Sequence, residues 1–588
     1  MATRPPDATD APASMMRLQW LAAALVVLAA FAFALIRVQP INLPWHLATA
    51  RLAQETGHFP ARNTFSYTFP DHPVFQQYPA FQGALWALLG VGGWPALSVL
   101  AGVGWTIVVL LFVRWAGPWR EGAALHVIWM LGVCALWRRM MLRPDLFSML
   151  ALGALLVSLD AFARTRRAVF ALVGAPLAHL FWVNSHQLWP LSLVVQGSFV
   201  AHVVALRAGW FTKLDQLDGE QPPPLWPALG ALGLSIALTF ATPLGAEIWL
   251  APARTAKSLA IFRAEVAEFR RVWTMPLEFG LTLATGVPAA WAFLRARRRA
   301  APFDLLLWLL SLALVVSAVR GLMFFGVVSV AVFQRTRARC RAAGIALAPG
   351  VGPEAQRALG AIGLAFTLLV AGNVVYRRWV HPPLGLAGTQ PGLGRSIGGW
   401  GEHMTAYLRA APPPGHMMNM GPGVGDLVIL DAPGIPVFVD SRLETYPVDF
   451  LRDVIASDRD DALLDELVAR WDVRWIVAEH FRDTVRARVL HLMTRGWAPT
   501  YVDSDFIVLV RPTPETATYI ADHRIDPRAH DPVDLVGLDR GFPSLRAQQR
   551  ARYAHLLRAL GDGARADAQR EAAIAEAGAE GAAAFEAP

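Results

Sequence analysis

The sequence predicts an α-helical polytopic membrane protein of about eleven transmembrane helices, followed by a C-terminal extracytoplasmic α/β domain and a helical tail. Three observations predict it. Of 588 residues 55% are hydrophobic and only 17% charged, with a mean hydropathy of +0.38, a balance suited to a chain solvated largely by lipid. Apolar runs near the ~20 residues that cross a bilayer recur up to about residue 380. Beyond them the pattern changes to short β-type runs alternating with helical ones, then to an Ala-rich stretch of helical period.

In chain order the apolar runs fall at about 17–36, 94–114, 121–137, 145–163, 167–183, 187–206, 225–243, 277–294, 303–319, 321–335 and 357–376. The leading MATRPPDATDAPASMMR is short, polar and Pro-rich, and the run after it lacks a small-residue cleavage site, so an uncleaved first span is expected. With a cytoplasmic N-terminus, Arg114 and Arg120, Arg164, Arg166 and Arg167, Arg207 and Lys213, Arg295 to Arg299, and Arg335 to Arg341 all fall inside, as the positive-inside rule requires. The formal charge of +8 therefore serves topology, and no nucleic-acid partner is expected. Arg138, Arg139 and Arg143 in WRRMMLRPDLFS, and several arginines between 254 and 271, stand outside in this topology, where they meet an anionic group or snorkel from a helix end. Cys134 and Cys340 lie far apart, which argues against a disulfide framework, and no Cys/His cluster has zinc spacing.

Residues 1–380 thus form the expected membrane domain. Its first outer loop, 38–93, carries helical signals in PWHLATARLAQETG and FQQYPAFQGALWALL around a turn-rich middle with Pro60, Asn63, Pro70 and Pro73. After a Pro/Gly-rich linker over 381–415, residues 416–512 read as a small α/β domain. There PVFVD and RWIVAEH are expected strands, PVDFLRDVIAS, DALLDELVARW and TVRARVLHLMTRGW helices, and TYVDSDFIVLVR a terminal strand or hairpin, which together imply a largely parallel sheet. GPGVGD lacks the Lys-Ser/Thr of a phosphate loop and reads as a turn. Residues 513–588 read as a helical tail whose hairpin resembles one tetratricopeptide unit.

Five segments carry a family resemblance: NLPWHLATARLAQETGHFPARNTFSYT, RPDLFS, FWVNSH at 181–186, ATPLGAEIW and PVFVDSRLETYPVDF. In that order, over roughly residues 17 to 510, they resemble a bacterial family of multi-span membrane proteins similar to GT-C glycosyltransferases, which use polyprenyl-phosphate sugars. The resemblance implies a GT-C-like fold in the inner (plasma) membrane and a lipid-linked sugar donor whose phosphate and sugar emerge from the membrane lipids at the outer face. It also implies transfer to a glycan, lipid or protein acceptor, with a first-loop carboxylate as general base or metal holder. The chain departs from that pattern. Asn42 stands where an Asp is expected before WHL, and Asn63 where one is expected before FSYT; an amide orients a hydroxyl but does not take its proton near neutral pH.

The remaining candidates follow from side-chain chemistry. His46, four residues after Asn42 on a helical reading and beside Trp45, has an imidazole suited to proton transfer. Glu268, before Phe269 in TAKSLAIFRAEVAEFRRVW, is the surviving outer-face carboxylate, and Arg143 and Arg320 near outer span ends offer planar forks suited to a lipid-linked phosphate. His186 and Asn184 in WVNSHQLW fall at an outer turn, where the expected roles are to contact a sugar or to satisfy backbone groups at a helix end. The expected catalytic residues are His46 and Glu268; the expected substrate contacts are Asn42, Trp45, Asn63, Arg143, His186 and Arg320. No cofactor is expected; the resemblance admits a divalent metal, for which a loop so poor in carboxylates supplies little.

Blander roles compete with each. A His beside Trp45 anchors an amphipathic helix at the interface, arginines snorkel, Glu268 pairs within a solvated helix, and Asp440, Arg442 and Tyr446 of VDSRLETY lock a strand-to-helix turn. Two functions therefore stand: a glycosyltransferase, or a noncatalytic relative acting as scaffold or binding subunit in envelope polysaccharide assembly. A transporter is disfavoured because the charges cluster at span ends and no internal repeat is visible.

Overall fold

The computed structural model describes residues 13–117, 124–209, 222–254, 267–296, 300–343, 345, 347, 353–376, 390–396, 399–529 and 543–585. The chain forms two compact units, one of Met1–Ile36, Ala96–Trp249 and Phe262–Val380, the other of Arg37–Pro95, Leu250–Ile261 and His381–Pro588.

The first unit is helical. Each expected apolar run coincides with a described helix, among them Pro144–Thr165, Ala175–Val183, Pro190–Arg207, Pro276–Ala296, Pro302–Ser317 and Leu322–Ala342. Several open on proline, whose missing N–H costs nothing in a first turn. Five described stretches are long and apolar enough to cross a membrane, Pro79–Ala116, Pro144–Thr165, Pro190–Arg207, Pro276–Ala296 and Val319–Ala342; six other apolar helices are shorter. Leu322–Ala342 is buried from Leu322 to Gln334, whereas Pro276–Ala296 leaves Leu277, Leu283, Val287 and Leu294 exposed, the apolar outer surface a lipid-solvated bundle requires.

The second unit combines the first loop with the C-terminal region. Leu43–Thr56 is a helix, but FQQYPAFQGALWALL is not a separate loop helix: helix begins at Pro79 and continues to Ala116, broken only at Gly93 (φ 62°, ψ −161°), a backbone that glycine tolerates. Four strands, β1 His416–Met420, β2 Val473–Glu479, β3 Ala498–Val502 and β4 Phe506–Val510, form one sheet of order β1-β2-β4-β3. Only β1 and β2 are parallel, so the expected largely parallel sheet is mixed. TYVDSDFIVLVR folds back as a hairpin, and an antiparallel hairpin needs no crossover helix. PVFVD joins no strand of the sheet and, among the described residues, makes one bridge, Val437 to Ser66. GPGVGD is not a turn, since its proline starts the helix Pro422–Asp431. The tail contains a helical hairpin, Pro543–Ala559 and Gly563–Ala577, joined on Ala547, Ala551 and Ala573 and braced by Arg550 to Glu576 at 2.7 Å.

Candidate functional site

In the helical unit the motifs RPDLFS and FWVNSH and the segment holding Glu268 converge. Arg143 precedes the helix Pro144–Thr165 in extended conformation, with Asp145 in the first turn. Arg139, from the preceding loop, donates through Nη1 to Asp145 Oδ2 at 3.0 Å, and its Nη2 lies 2.7 Å from Glu268 Oε2. Arg143 Nη1 donates to the same Glu268 oxygen at the longer distance of 3.2 Å. Glu268 sits on the 3-10 turn Ala267–Phe269, and Arg320 on another, Val319–Gly321. The two segments are tied by Val319 N–H donating to Arg270 O at 2.9 Å, and the Arg320 guanidinium lies 4.9 Å from the Phe269 ring centroid. Glycine is required at 321, where a Cβ would stand 2.3 Å from the backbone of Leu314.

His186, in the loop after Ala175–Val183, completes the cluster. Its Nε2 is 3.9 Å from Asp145 Oδ1; its Nδ1 is 2.7 Å from Ser148 Oγ, which accepts the indole N–H of Trp182 at 2.8 Å. Neighbouring Asn184 does not face this group: its Nδ2 donates to Leu180 O at 3.1 Å and Ala241 O at 3.0 Å, satisfying a helix end.

Three guanidinium groups, from Arg139, Arg143 and Arg320, thus act on two carboxylates, Asp145 and Glu268. Arg139 and Asp145 are buried, but the Glu268 side chain keeps 27% and Arg143 14% of their accessible surface. Burial alone would raise the Glu268 pKa; Arg143 and Arg139 outweigh it and hold the carboxyl below its ordinary range. Burial lowers His186 to about 4 against the opposing pull of Asp145, with Arg320, Arg139 and Arg143 adding to the depression, so this imidazole is neutral at pH 7. Guanidinium groups beside an ionised, partly exposed carboxylate can hold an anion and accept a hydrogen bond from a hydroxyl.

Four expected residues, Arg143, His186, Glu268 and Arg320, are therefore brought together. Arg139 and Asp145 join them although they were not among the expected site residues; the signal for Arg139 was the arginine-rich run WRRMMLRPD outside the positive-inside pattern, and Asp145 carried none of its own. Arg263 and Glu265, upstream of Glu268, lie outside the described residues.

Asn42, Trp45, His46 and Asn63 belong to the other unit. Asn42 has a left-handed backbone (φ 60°) and precedes the helix, so it does not share a helical face with His46 as the spacing suggested. His46 is only 2% exposed, stacks on Trp45 at 3.6 Å, and its Nδ1 lies 3.2 Å from Gln82 Nε2. Asn63 is fully buried and accepts from Arg442 Nη2 at 2.8 Å. Arg442 forks onto Asp440, Nε to Oδ1 at 2.9 Å and Nη2 to Oδ2 at 2.6 Å, while Tyr446 Oη donates to Asp440 Oδ2 at 2.8 Å. Asn63 thereby ties the first loop to the lock at VDSRLETY. Aromatic packing does the same: Tyr67 stacks on His416 at 4.3 Å, and Phe69 meets Phe450 at 4.9 Å and Trp471 at 5.3 Å.

Among the described residues no group of three or more His, Cys, Asp or Glu side chains is placed to hold a metal ion. No family model and no curated protein matches the chain. Among solved structures it is similar to the Archaeoglobus fulgidus oligosaccharyltransferase tethered with an acceptor peptide containing the NVT sequon (9% identity, 85% of this chain and 74% of that one, TM-score 0.49). It is also similar to ArnT from Cupriavidus metallidurans bound to undecaprenyl phosphate (12% identity, 86% of this chain and 100% of that one, TM-score 0.45). With TM-scores of 0.49 and 0.45 these similarities carry no argument, and the function is read from the residues.

Proposed function

We propose that the protein is a GT-C-like membrane glycosyltransferase that moves a sugar from a polyprenyl-phosphate donor to an acceptor hydroxyl at the outer face of the plasma membrane, with its reacting groups in the helical unit. The basic clusters support a cytoplasmic N-terminus and an extracytoplasmic C-terminal domain. The observation that carries the reading is the convergence of Arg139, Arg143 and Arg320 on Glu268, a carboxylate that keeps 27% of its side-chain surface. Phosphate oxygens only accept hydrogen bonds, and guanidinium forks supply donors in matching geometry. Arg139, buried between two carboxylates, is scaffold; Arg143 and Arg320 are the phosphate ligands.

The chemistry follows from competition for Arg143. Its contact with Glu268, at 3.2 Å, is the weaker of that carboxylate's two ion pairs. A donor phosphate that takes Arg143 removes part of the field depressing Glu268, and burial then raises its pKa, so the base strengthens once the donor is bound. The acceptor hydroxyl gives its proton to Glu268 as its oxygen bonds to the anomeric carbon. The bond from that carbon to the phosphate oxygen breaks, and the electron pair leaves with the polyprenyl phosphate, whose charge Arg143 and Arg320 hold. Glu268 thus supplies the carboxylate that Asn42 and Asn63 do not.

The amides at 42 and 63 favour a second reading, a noncatalytic relative that binds a lipid-linked sugar during envelope polysaccharide assembly. Incubating purified protein in lipid nanodiscs with a panel of radiolabelled polyprenyl-phosphate sugars and candidate acceptors separates the two. Turnover lost in Glu268→Gln is the expected result; binding without turnover in the native protein would establish the second reading.

A further inference from the structure

Of the arginines in WRRMMLRPD that stand outside the positive-inside pattern, the transfer reaction as described uses Arg143 and leaves Arg139 as scaffold; Arg138 has no role in it. Its surroundings are specific. Arg138 Nε lies 2.5 Å from Oε1 of Glu278, a carboxylate in the first turn of Pro276–Ala296 whose side chain keeps only 3% of its accessible surface. The Arg138 guanidinium carbon stands 5.2 Å from the Trp137 ring centroid. Among the described residues these are the ionic and ring contacts of a side chain that is 47% exposed, and neither Nη atom has a hydrogen bond to a described residue.

A carboxylate buried as deeply as Glu278 is costly to leave unpaired, so it holds the near edge of the guanidinium in place. A free surface arginine loses side-chain entropy when it takes a ligand; here that ordering is already done. The anchor also fixes the position along the chain. Arg138 pairs with Glu278 and its neighbour Arg139 with Glu268, so the segment from 268 to 278 is fastened to this loop at both ends, and Arg138 stands beside the cluster rather than within it.

We infer that Arg138 is a second phosphate-binding fork of the helical unit, anchored by Glu278 at Nε and presenting its Nη atoms to a phosphate group. The donor set selects that ligand. The two Nη atoms carry four coplanar N–H groups that donate and never accept, and they bond two phosphate oxygens at once, where a lone hydroxyl fills half of the fork. Such a phosphate has two sources. One is the headgroup of a membrane phospholipid, in keeping with the aromatic company of Trp137 and of Trp273 on the fastened segment, the latter 53% exposed, as at a membrane interface. The other is the second phosphate of a polyprenyl diphosphate donor, whose first lies on Arg143 and Arg320. That second source rests on the glycosyltransferase reading; the fork itself does not.

Arg138→Ala strands Glu278, so the test uses two other variants. Arg138→Lys keeps a charge on Glu278 without a fork, and Arg138→Gln combined with Glu278→Gln removes both partners together. Purified protein in a phosphate-free detergent is titrated with undecaprenyl phosphate and undecaprenyl diphosphate, and its thermal midpoint is read with phosphatidylglycerol or with glucosyl diacylglycerol, which has no phosphate. If the phosphate is the donor's, native protein binds the diphosphate about tenfold more tightly than the monophosphate, the worth of one charged contact, and both variants bring that ratio below about threefold. If it is a headgroup, the two undecaprenyl lipids bind alike, phosphatidylglycerol raises the native midpoint more than the glucosyl lipid does, and both variants lose that difference. The inference is overturned if native protein shows neither preference, or if the preference it shows survives in full in either variant. If neither undecaprenyl lipid binds, the glycosyltransferase reading fails, and the phosphatidylglycerol comparison still decides the fork.

Discussion

Two arginine–carboxylate clusters mark the helix Pro144–Thr165, one at Asp145 and one at Asp160, about 22 Å apart along its axis at the usual helical rise. They are built from the same chemistry and close differently. At Asp160, Arg335 donates through Nε to both oxygens of Asp304 at 3.1 Å and through Nη1 to Asp160 at 2.9 Å and Trp115 O at 2.7 Å. Arg164 pairs with the other Asp160 oxygen at 2.8 Å, so two cations meet two anions, with Asp304 fully buried. At Asp145 the second carboxylate, Glu268, is shared by Arg139 and Arg143 and remains in reach of solvent. A group closed on a fully buried carboxylate, Asp304, holds helices together; one whose shared carboxylate, Glu268, reaches solvent can take a ligand.

The sharpest test of that contrast is stability. Arg335→Ala leaves Asp160 short of a partner and Asp304 buried without one, and should cost about 3–5 kcal/mol in unfolding free energy, read as a large fall in the thermal midpoint in detergent. A variant as stable as the native protein would erase the distinction. Glu268→Gln should lower the midpoint far less than Arg335→Ala does, while single-turnover transfer falls about 10²- to 10⁴-fold, the usual worth of a general base. Arg143→Ala should weaken undecaprenyl phosphate roughly tenfold or somewhat more by equilibrium binding, and Arg143→Lys should recover only part, since an ammonium is a point charge rather than a fork. The smallest effect is in pH. Glu268 has a folded pKa below its ordinary 4.5, so its contribution to stability is complete above that value and is lost as pH falls through the depressed folded value. Midpoints measured from pH 6 down to pH 3 should therefore fall less steeply in Glu268→Gln; an identical slope would remove the ion pairs with Arg139 and Arg143 from the account.

Much of the architecture was legible because hydrophobic run length and period are local properties. The apolar runs are helical, and the arginines of WRRMMLRPD stood out as charges on the wrong side of the topology. Strand partners were not legible: PVFVD has the composition of a strand yet pairs only with Ser66, because sheet membership depends on which segments find each other. The site was half legible. Arg143, His186, Glu268 and Arg320 carry plausible chemistry in sequence, but Asp145 looks like an ordinary acidic residue in a first helical turn until Arg139 is seen on it. His46 misled for the opposite reason, an attractive residue type on a helix whose first turns, Leu43 to Ala50, are buried.

Composition and periodicity by themselves determined that this chain is a helical bundle for an apolar solvent followed by a mixed α/β region, since each follows from how many apolar residues lie in a row and at what spacing. Only the tertiary structure decided which charges meet, because arginines and carboxylates as distant as 139 and 268, or 160 and 335, find each other through packing. The strength of a charge in a low-dielectric interior depends on those few ångströms, and sequence spacing does not record them.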